Sequence, residues 1–205
     1  MSHEILIGFF MSMIVFDSPT LLTRAQVRGL PHSSIESCWL GEVLPSPLWW
    51  VVALDPKHLW FAGSLPGGGS CIPGAKHGEF FEGLWEADVF EIFIKDPSGR
   101  YFEFNVSPQG AWWATELSAY RERVSYLRLP KVSLIETEVL LDRWRALVCL
   151  DRDSLPMAIS ASSTLHVSAV FNEAKSRYLS SNPVANVAPD FHHLDAFQQV
   201  SLSGV

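Results

Sequence analysis

Short apolar runs, each stopped by a turn signal, recur along most of the 205-residue chain. That rhythm predicts antiparallel strands joined by hairpins. Residues 49–54 (WWVVAL) stop at Asp55-Pro56-Lys57, and residues 58–64 (HLWFAGS) answer them as a second strand. Residues 88–94 (DVFEIFI) and 101–107 (YFEFNVS) flank Asp96-Pro97-Ser98-Gly99, a turn with Pro second and Gly fourth. Residues 111–117 (AWWATEL) predict a further strand, and residues 116–124 (ELSAYRERV) a short helix. Residues 131–141 and 144–151 form another hairpin about Asp142-Arg143, followed by a helical turn at 154–156. A strand over 163–174, an irregular stretch over 176–197 and a closing strand over 198–202 complete the chain. Residues 65–78 (LPGGGSCIPGAKHG) are too rich in Gly and Pro for regular structure and predict a long surface loop. Such loops on β scaffolds often carry function. The apolar run at 5–16 (ILIGFFMSMIVF) is too short for a membrane-spanning helix. It lacks the basic flank and small-residue cleavage site of an export signal, so it reads as a buried first strand. Ten or eleven strands, almost no helix, no linker and no repeat predict one all-β domain over 1–205, an antiparallel β-sandwich.

Composition narrows the partners. The chain is 48% hydrophobic and 18% charged, enough for a sizeable core. The net charge is −7 and the Lys and Arg residues are scattered, which argues against nucleic acid or an anionic membrane. A neutral or cationic partner is compatible with it, and nothing in the chain specifies a protein partner. The three cysteines, Cys38, Cys71 and Cys149, are far apart and form no CxxC pair. That argues against a disulfide framework or a zinc knuckle and favours thiols in a reducing, cytoplasmic setting, with export as the alternative.

The chemistry concentrates in residues 83–110 (GLWEADVFEIFIKDPSGRYFEFNVSPQG), where Glu86, Asp88, Glu91, Glu103 and Asn105 interrupt strongly strand-forming sequence. Strand side chains alternate between faces. If Lys95 pairs with Arg100, Phe102 joins the face of Trp85, Glu91 and Phe93. A one-residue slip brings Glu103 and Asn105 there instead and leaves Phe102, Phe104 and Val106 for the core. Both registers are open to the sequence. In the slipped one, a flat ring lies beside carboxylate and amide groups, an arrangement suited to a sugar's C–H face and hydroxyls. The bland reading is a core Trp with solvated or Arg-paired Glu residues, with Asp88 supporting loops and Glu86 in solvent. Of Trp112 and Trp113, one belongs to the core and the other to a ligand or partner face. Arg121 and Arg123 are candidates to neutralise the acidic strand groups.

LWEADVFEIFI followed by YFEFNVSPQGAWW resembles the family 9 carbohydrate-binding modules and the wider DOMON-like group, over roughly residues 35–203. The resemblance implies a jelly-roll-like sandwich. It also implies a terminal sugar clamped between two aromatics, with a Glu and an Asn bonding its hydroxyls. Trp85 matches the first aromatic, Glu91 the strand Glu and Asn172 the amide. The second clamp Trp has no clear counterpart, and Tyr178 or Phe191 would substitute. Glu103 stands near the place where the sugar binders carry an Arg. The expected function is non-catalytic binding of a carbohydrate or similar polyhydroxylated molecule. The alternatives are a haem-binding, electron-transfer domain of the DOMON kind and an interaction domain without a small ligand. Haem needs an axial pair such as Met157 with a distant His, and no spacing supports one. Calcium, carried by sugar-binding relatives, lacks its DxDxDG-type loop here. No cofactor is therefore expected. Glu86, Asp88, Glu91 and Glu103 include a conceivable glycosidase pair, but no nucleophile motif accompanies them. His192 and His193, adjacent in an extended segment, point opposite ways and read as loop anchors.

Overall fold

The computed structural model describes residues 12–125, 128–172 and 176–205. Among them are strands β1 (Met13–Asp17), β2 (Ser33–Ser37), β3 (Val43–Leu54), β4 (His58–Pro66), β5 (Val89–Lys95) and β6 (Tyr101–Val106). They continue with β7 (Trp112–Ala119), β8 (Glu122–Arg123), β9 (Val132–Val139), β10 (Arg143–Asp151), β11 (Thr164–Asn172), β12 (Ser176–Ser180) and β13 (Gln198–Gly204). One α-helix, α1 (Arg24–Gly29), lies between β1 and β2.

The strands form two layers. The first runs β13-β1-β3-β4-β10-β9, with β2 beside the first part of β3. The second runs β8-β7-β6-β5-β11, with β12 beside the later part of β11. β13 belongs to both. Gln198 and Gln199 pair antiparallel with Leu165 and Thr164, and from Val200 onward the strand runs parallel to β1. β1 is also parallel to the end of β3, whereas the named strand pairs without β1 are antiparallel among the described residues. A bridge between Cys38 and Leu179 links the layers again beside β2 and β12.

Alternation builds the core between the layers. Leu48, Trp50, Val52 and Leu54 of β3 and Leu59, Phe61 and Leu65 of β4 face Phe90, Ile92 and Ile94 of β5 and Phe102, Phe104 and Val106 of β6. Phe61 and Phe90 stack across the gap with centroids 4.1 Å apart. Gly63 of β4 gives that ring its room: a Cβ there would lie 2.4 Å from Phe90. The Asp55 turn forms as expected, its carboxylate accepting from the Lys57 and His58 amides at 2.8 Å each and from Trp60 Nε1 at 2.8 Å.

The register of β5 and β6 is the slipped one. Lys95 lies opposite Tyr101, Phe93 opposite Glu103 and Glu91 opposite Asn105. The turn decides this. Asp96 N–H donates to Arg100 O at 2.9 Å, leaving Pro97, Ser98 and Gly99 as a three-residue loop. Gly99 at φ +92 supplies the left-handed position such a loop requires.

Two expectations are overturned, one element went unforeseen, and one expected strand is seen only in part. Residues 116–124 are no helix: β7 continues to Ala119, turns at Tyr120-Arg121 with Arg121 at φ 56, and returns as β8. Pairing of residues 112–117 with the whole of β6, and of Leu117 and Ala119 with β8, outweighs the local helix preference of that segment. Residues 176–180 are a strand, because the edge of β11 offers them a ladder. α1 went unforeseen although Thr23 and Gln26 form a capping box at its start. The strand expected over 5–16 is seen as β1 from Met13, and the rest of that run lies outside the described residues.

Candidate functional site

The outer face of the second layer should meet water, yet it is buried. Glu91 and Phe93 of β5, Tyr101, Glu103 and Asn105 of β6, Trp113 and Leu117 of β7, and His166, Ser168 and Val170 of β11 all point away from the main core. Two irregular segments cover them. Residues 67–88 are tied down through Asp88, whose carboxylate accepts from the Ser70 amide at 3.0 Å and the Asn172 amide at 2.8 Å. Residues 181–197 are held by Trp39 Nε1, which donates to Val187 O at 2.9 Å, and by Asn182, which donates to Asp195 O at 3.0 Å. Leu84, Phe93, Tyr101, Trp113, Phe191 and Phe197 form a second apolar cluster beneath these covers.

A cavity of about 360 Å³ remains between the sheet and its covers. Its floor carries Glu91, Phe93 and Glu103, and its walls include Trp85, Trp113, Tyr178 and Phe191. Trp85 and Trp113 meet edge to face at 5.1 Å, and Tyr178 and Phe191 at 6.0 Å. Arg121 and Arg123 stand at the rim, each with its own acid. Arg121 pairs with Asp190 at 2.8 Å, and Arg123 with Glu82 at 2.6 Å. The Arg123 guanidinium also lies 4.8 Å over the Trp113 ring.

The floor is electrostatically unusual. Glu91 and Glu103 are 3% and 5% exposed. Ser168 Oγ donates to Glu91 Oε2 at 2.8 Å, and Asn105 Nδ2 donates to Glu103 Oε1 at 3.0 Å. Burial, and then the charge of Glu103, pushes the Glu91 carboxyl up to about 8. Burial likewise pushes Glu103 up to about 7, against the pull of Asn105 and of Arg123 and Arg121. The histidines beside them move the other way. Burial and then the Arg121 charge lower His192 to about 4, and burial lowers His166 to about 4. Tyr101 OH accepts from the Arg121 amide at 3.0 Å and meets His192 Nδ1 at 3.0 Å. We assign the phenol hydrogen to Nδ1, which leaves the imidazole proton on Nε2, 3.9 Å from Glu103 Oε2. His166 donates from Nδ1 to Phe191 O at 3.1 Å and accepts at Nε2 from Ser180 Oγ at 2.8 Å.

Of the residues singled out in the sequence, Trp85, Glu91, Glu103, Tyr178 and Phe191 all line this cavity. Asn172 does not. It ends β11, where its side-chain oxygen accepts from Ser176 Oγ. The amide beside the floor is Asn105, which holds Glu103. Trp85 sits on a 3₁₀ turn, Leu84–Glu86, rather than on a strand, so Leu84 is buried and Trp85 is 36% exposed. Additional lining residues include Trp113, Arg121, Arg123 and His192. Trp113 was half legible, since adjacent Trp residues on a strand face opposite ways. Trp112 is the core member, stacked on Phe104. His192 anchors its loop through Tyr101 as expected and reaches the cavity too. Met157 lines a different, smaller cavity with Pro56, Arg152, Asp153, Leu155, Ala158 and Ile159.

No family model and no curated protein matches the sequence. Solved structures match in shape. A proposed carbohydrate-binding protein from Bacteroides uniformis ATCC 8492 aligns with a TM-score of 0.68 at 10% identity, over 94% of this chain and 100% of that one. A family 9 carbohydrate-binding module from Caldicellulosiruptor kristjanssonii, in complex with cellotriose, aligns at 0.60 and 10% identity, over 94% and 95%. The same kind of module from that organism with glucose aligns at 0.58 and 10% identity, over 94% and 97%. The chain has the fold of the family 9 carbohydrate-binding modules. Within this CBM9-like sandwich, the cavity occupies the outer face of the second layer, under the two covering segments.

Proposed function

We propose that the protein binds a carbohydrate, or a small molecule of similar polyhydroxylated character, in the cavity on its second layer, without transforming it. One observation carries this reading: aromatic walls stand around two buried carboxyl groups that have unused hydrogen-bonding capacity. Apolar rings suit the C–H faces of a sugar, and carboxyl oxygens suit its hydroxyls. A volume of about 360 Å³ lies at the small end for ligand sites, the scale of one sugar or a short one. The shared fold with modules solved in complex with glucose and cellotriose supports the same reading.

Burial pushes both Glu91 and Glu103 upward, and their free oxygens are available to bond the hydroxyls of a bound sugar. In this reading Trp85 stacks on the ring with Trp113, Tyr178 and Phe191 closing around it. Glu91 and Glu103 bond the hydroxyls.

Titration of tryptophan fluorescence with glucose, cellotriose and a panel of other mono- and disaccharides tests it. The wild type is expected to show a saturable change. Trp85→Ala, with its fold verified by circular dichroism, is expected to lose about tenfold or more in affinity, or about 1.4 kcal/mol. No saturable response from the folded wild type to any sugar would end the proposal.

A further inference from the structure

The two floor carboxyls are each held by one oxygen only. Glu91 Oε2 accepts from Ser168 and Glu103 Oε1 accepts from Asn105. Among the described residues no donor bonds Glu91 Oε1 or Glu103 Oε2; His192 Nε2 is 3.9 Å from the latter. No lysine or arginine forms an ion pair with either side chain among the described residues. The rim arginines are matched by Asp190 and Glu82 instead. They pull Glu103 downward, and burial outweighs them. Two carboxyl groups more than nine-tenths buried, on adjacent strands and without a paired lysine or arginine, are neutral while protonated and become a cation-binding pair when they ionise. The rings around them are the other half of a cation site, since aromatic faces attract ammonium groups. Arg123 over Trp113 already shows one ring used in that way.

We infer that the preferred ligand carries a protonated amine, an amino sugar rather than a neutral one, with its ammonium group between Glu91 Oε1 and Glu103 Oε2. This rests on the carbohydrate reading above and narrows its substrate class. A neutral hydroxyl needs one acceptor; an ammonium, with three donors and a full charge, uses both open oxygens and offsets their burial. Binding then carries a proton signature. The empty pair holds its protons near neutral pH. An ammonium between the oxygens favours the ionised form, so the pair releases protons as the ligand enters.

Calorimetric titration with D-glucose, D-glucosamine and N-acetyl-D-glucosamine tests the inference. It is run at about pH 6.5 in two buffers of different ionisation enthalpy, so that proton release is read directly on the wild type. Glucosamine is expected to bind about tenfold or more tighter than glucose and to release up to about one proton. N-acetylglucosamine, which keeps the ring and loses the charge, is expected to bind without that release. In Glu91→Gln the ratio of glucosamine to glucose affinity is expected to fall toward one. Equal affinity for glucose and glucosamine, or tight glucosamine binding without proton release, overturns the amine inference and leaves the carbohydrate reading standing. No binding of these three sugars or of any sugar in the wider panel overturns both.

Discussion

Glu91 and Glu103 place an acid cost inside the fold, and His166 and His192 place a basic one. The raised carboxyls bind protons in the folded state that the unfolded chain gives up above its ordinary carboxylate range. Their neutral form is the one the fold favours, so they lower stability as pH rises from about 4.5 toward 8. The lowered histidines do the reverse. The unfolded chain protonates them below about 6.5 and the fold resists until about 4, so they lower stability as pH falls through that window. Between about pH 4.5 and 6.5 the two slopes oppose each other. Above 6.5 only the carboxyl slope remains among these four groups. The melting temperature of the wild type is therefore expected to fall from pH 6.5 to 8.5. Glu91→Gln, neutral at every pH and nearly isosteric, is expected to flatten that fall. Its gain over wild type at pH 8.5 is expected to be on the order of a few kcal/mol, shrinking toward pH 5. Thermal denaturation of both proteins across that range checks it. A variant no more stable than wild type at pH 8.5 would count against an ionisation penalty at Glu91. That these acids were unusual was legible at residue scale, because five polar groups break one strand-like segment. Their direction was not, because a shift of one residue sends them to the opposite face.

At the scale of elements, the turn between β5 and β6 carries more consequence than its length suggests. A three-residue loop with Gly99 in the left-handed region brings Glu103 beside Phe93 and faces Phe102 and Phe104 inward. The β3–β4 hairpin shows the same economy on the other layer, where Gly63 lies against the Phe90 ring. Gly63→Ala is expected to force that ring or the β4 backbone to move. The expected loss is about 1–3 kcal/mol of stability, read as a lowered midpoint in urea unfolding. An unchanged midpoint would mean that the core is looser at this point than the packing shows. Elements were legible where both strands of a hairpin carry their own pattern, as at 49–64, 88–107 and 131–151. They were misread where a partner strand made the decision. Residues 116–124 contain good helix formers, yet β7 has the length of β6 to pair with. Residues 176–180 have little pattern of their own and become β12 on the edge of β11. Arg121 and Arg123 were legible as partners of the acidic strand groups, but their place at the rim depends on the β7–β8 turn that the helix reading of 116–124 missed.

The whole molecule is joined through its last strand. β13 pairs with β11 at Gln198 and Gln199 and with β1 from Val200 to Gly204, so one short segment is stitched into both layers. Val200 is also part of the main core. Removing residues 198–205 is expected to expose β1 and part of β11 and to abolish a cooperative thermal transition by circular dichroism. A truncated chain that still melts cooperatively near the wild-type temperature would show that the layers hold without it. By itself the sequence determined the all-β class, most hairpins, the core alternation and a short roster of residues, five of which line the cavity. Those properties are local: period-two patterning, turn residues and side-chain chemistry are written within a few positions of one another. The local turn at Gly99 set the β5–β6 register among the alternatives, while tertiary structure decided the join through β13 and the exclusion of Asn172 from the cavity. Tertiary structure also brought Trp113, Arg121, Arg123 and His192 to the walls. Each of these tertiary outcomes depends on contacts between residues far apart in the chain, where loop closure and packing choose among pairings that local preference leaves nearly equal. The raised Glu91 and Glu103 belong to the same group, because a carboxyl's protonation follows what covers it, and the cover comes from segments 67–88 and 181–197.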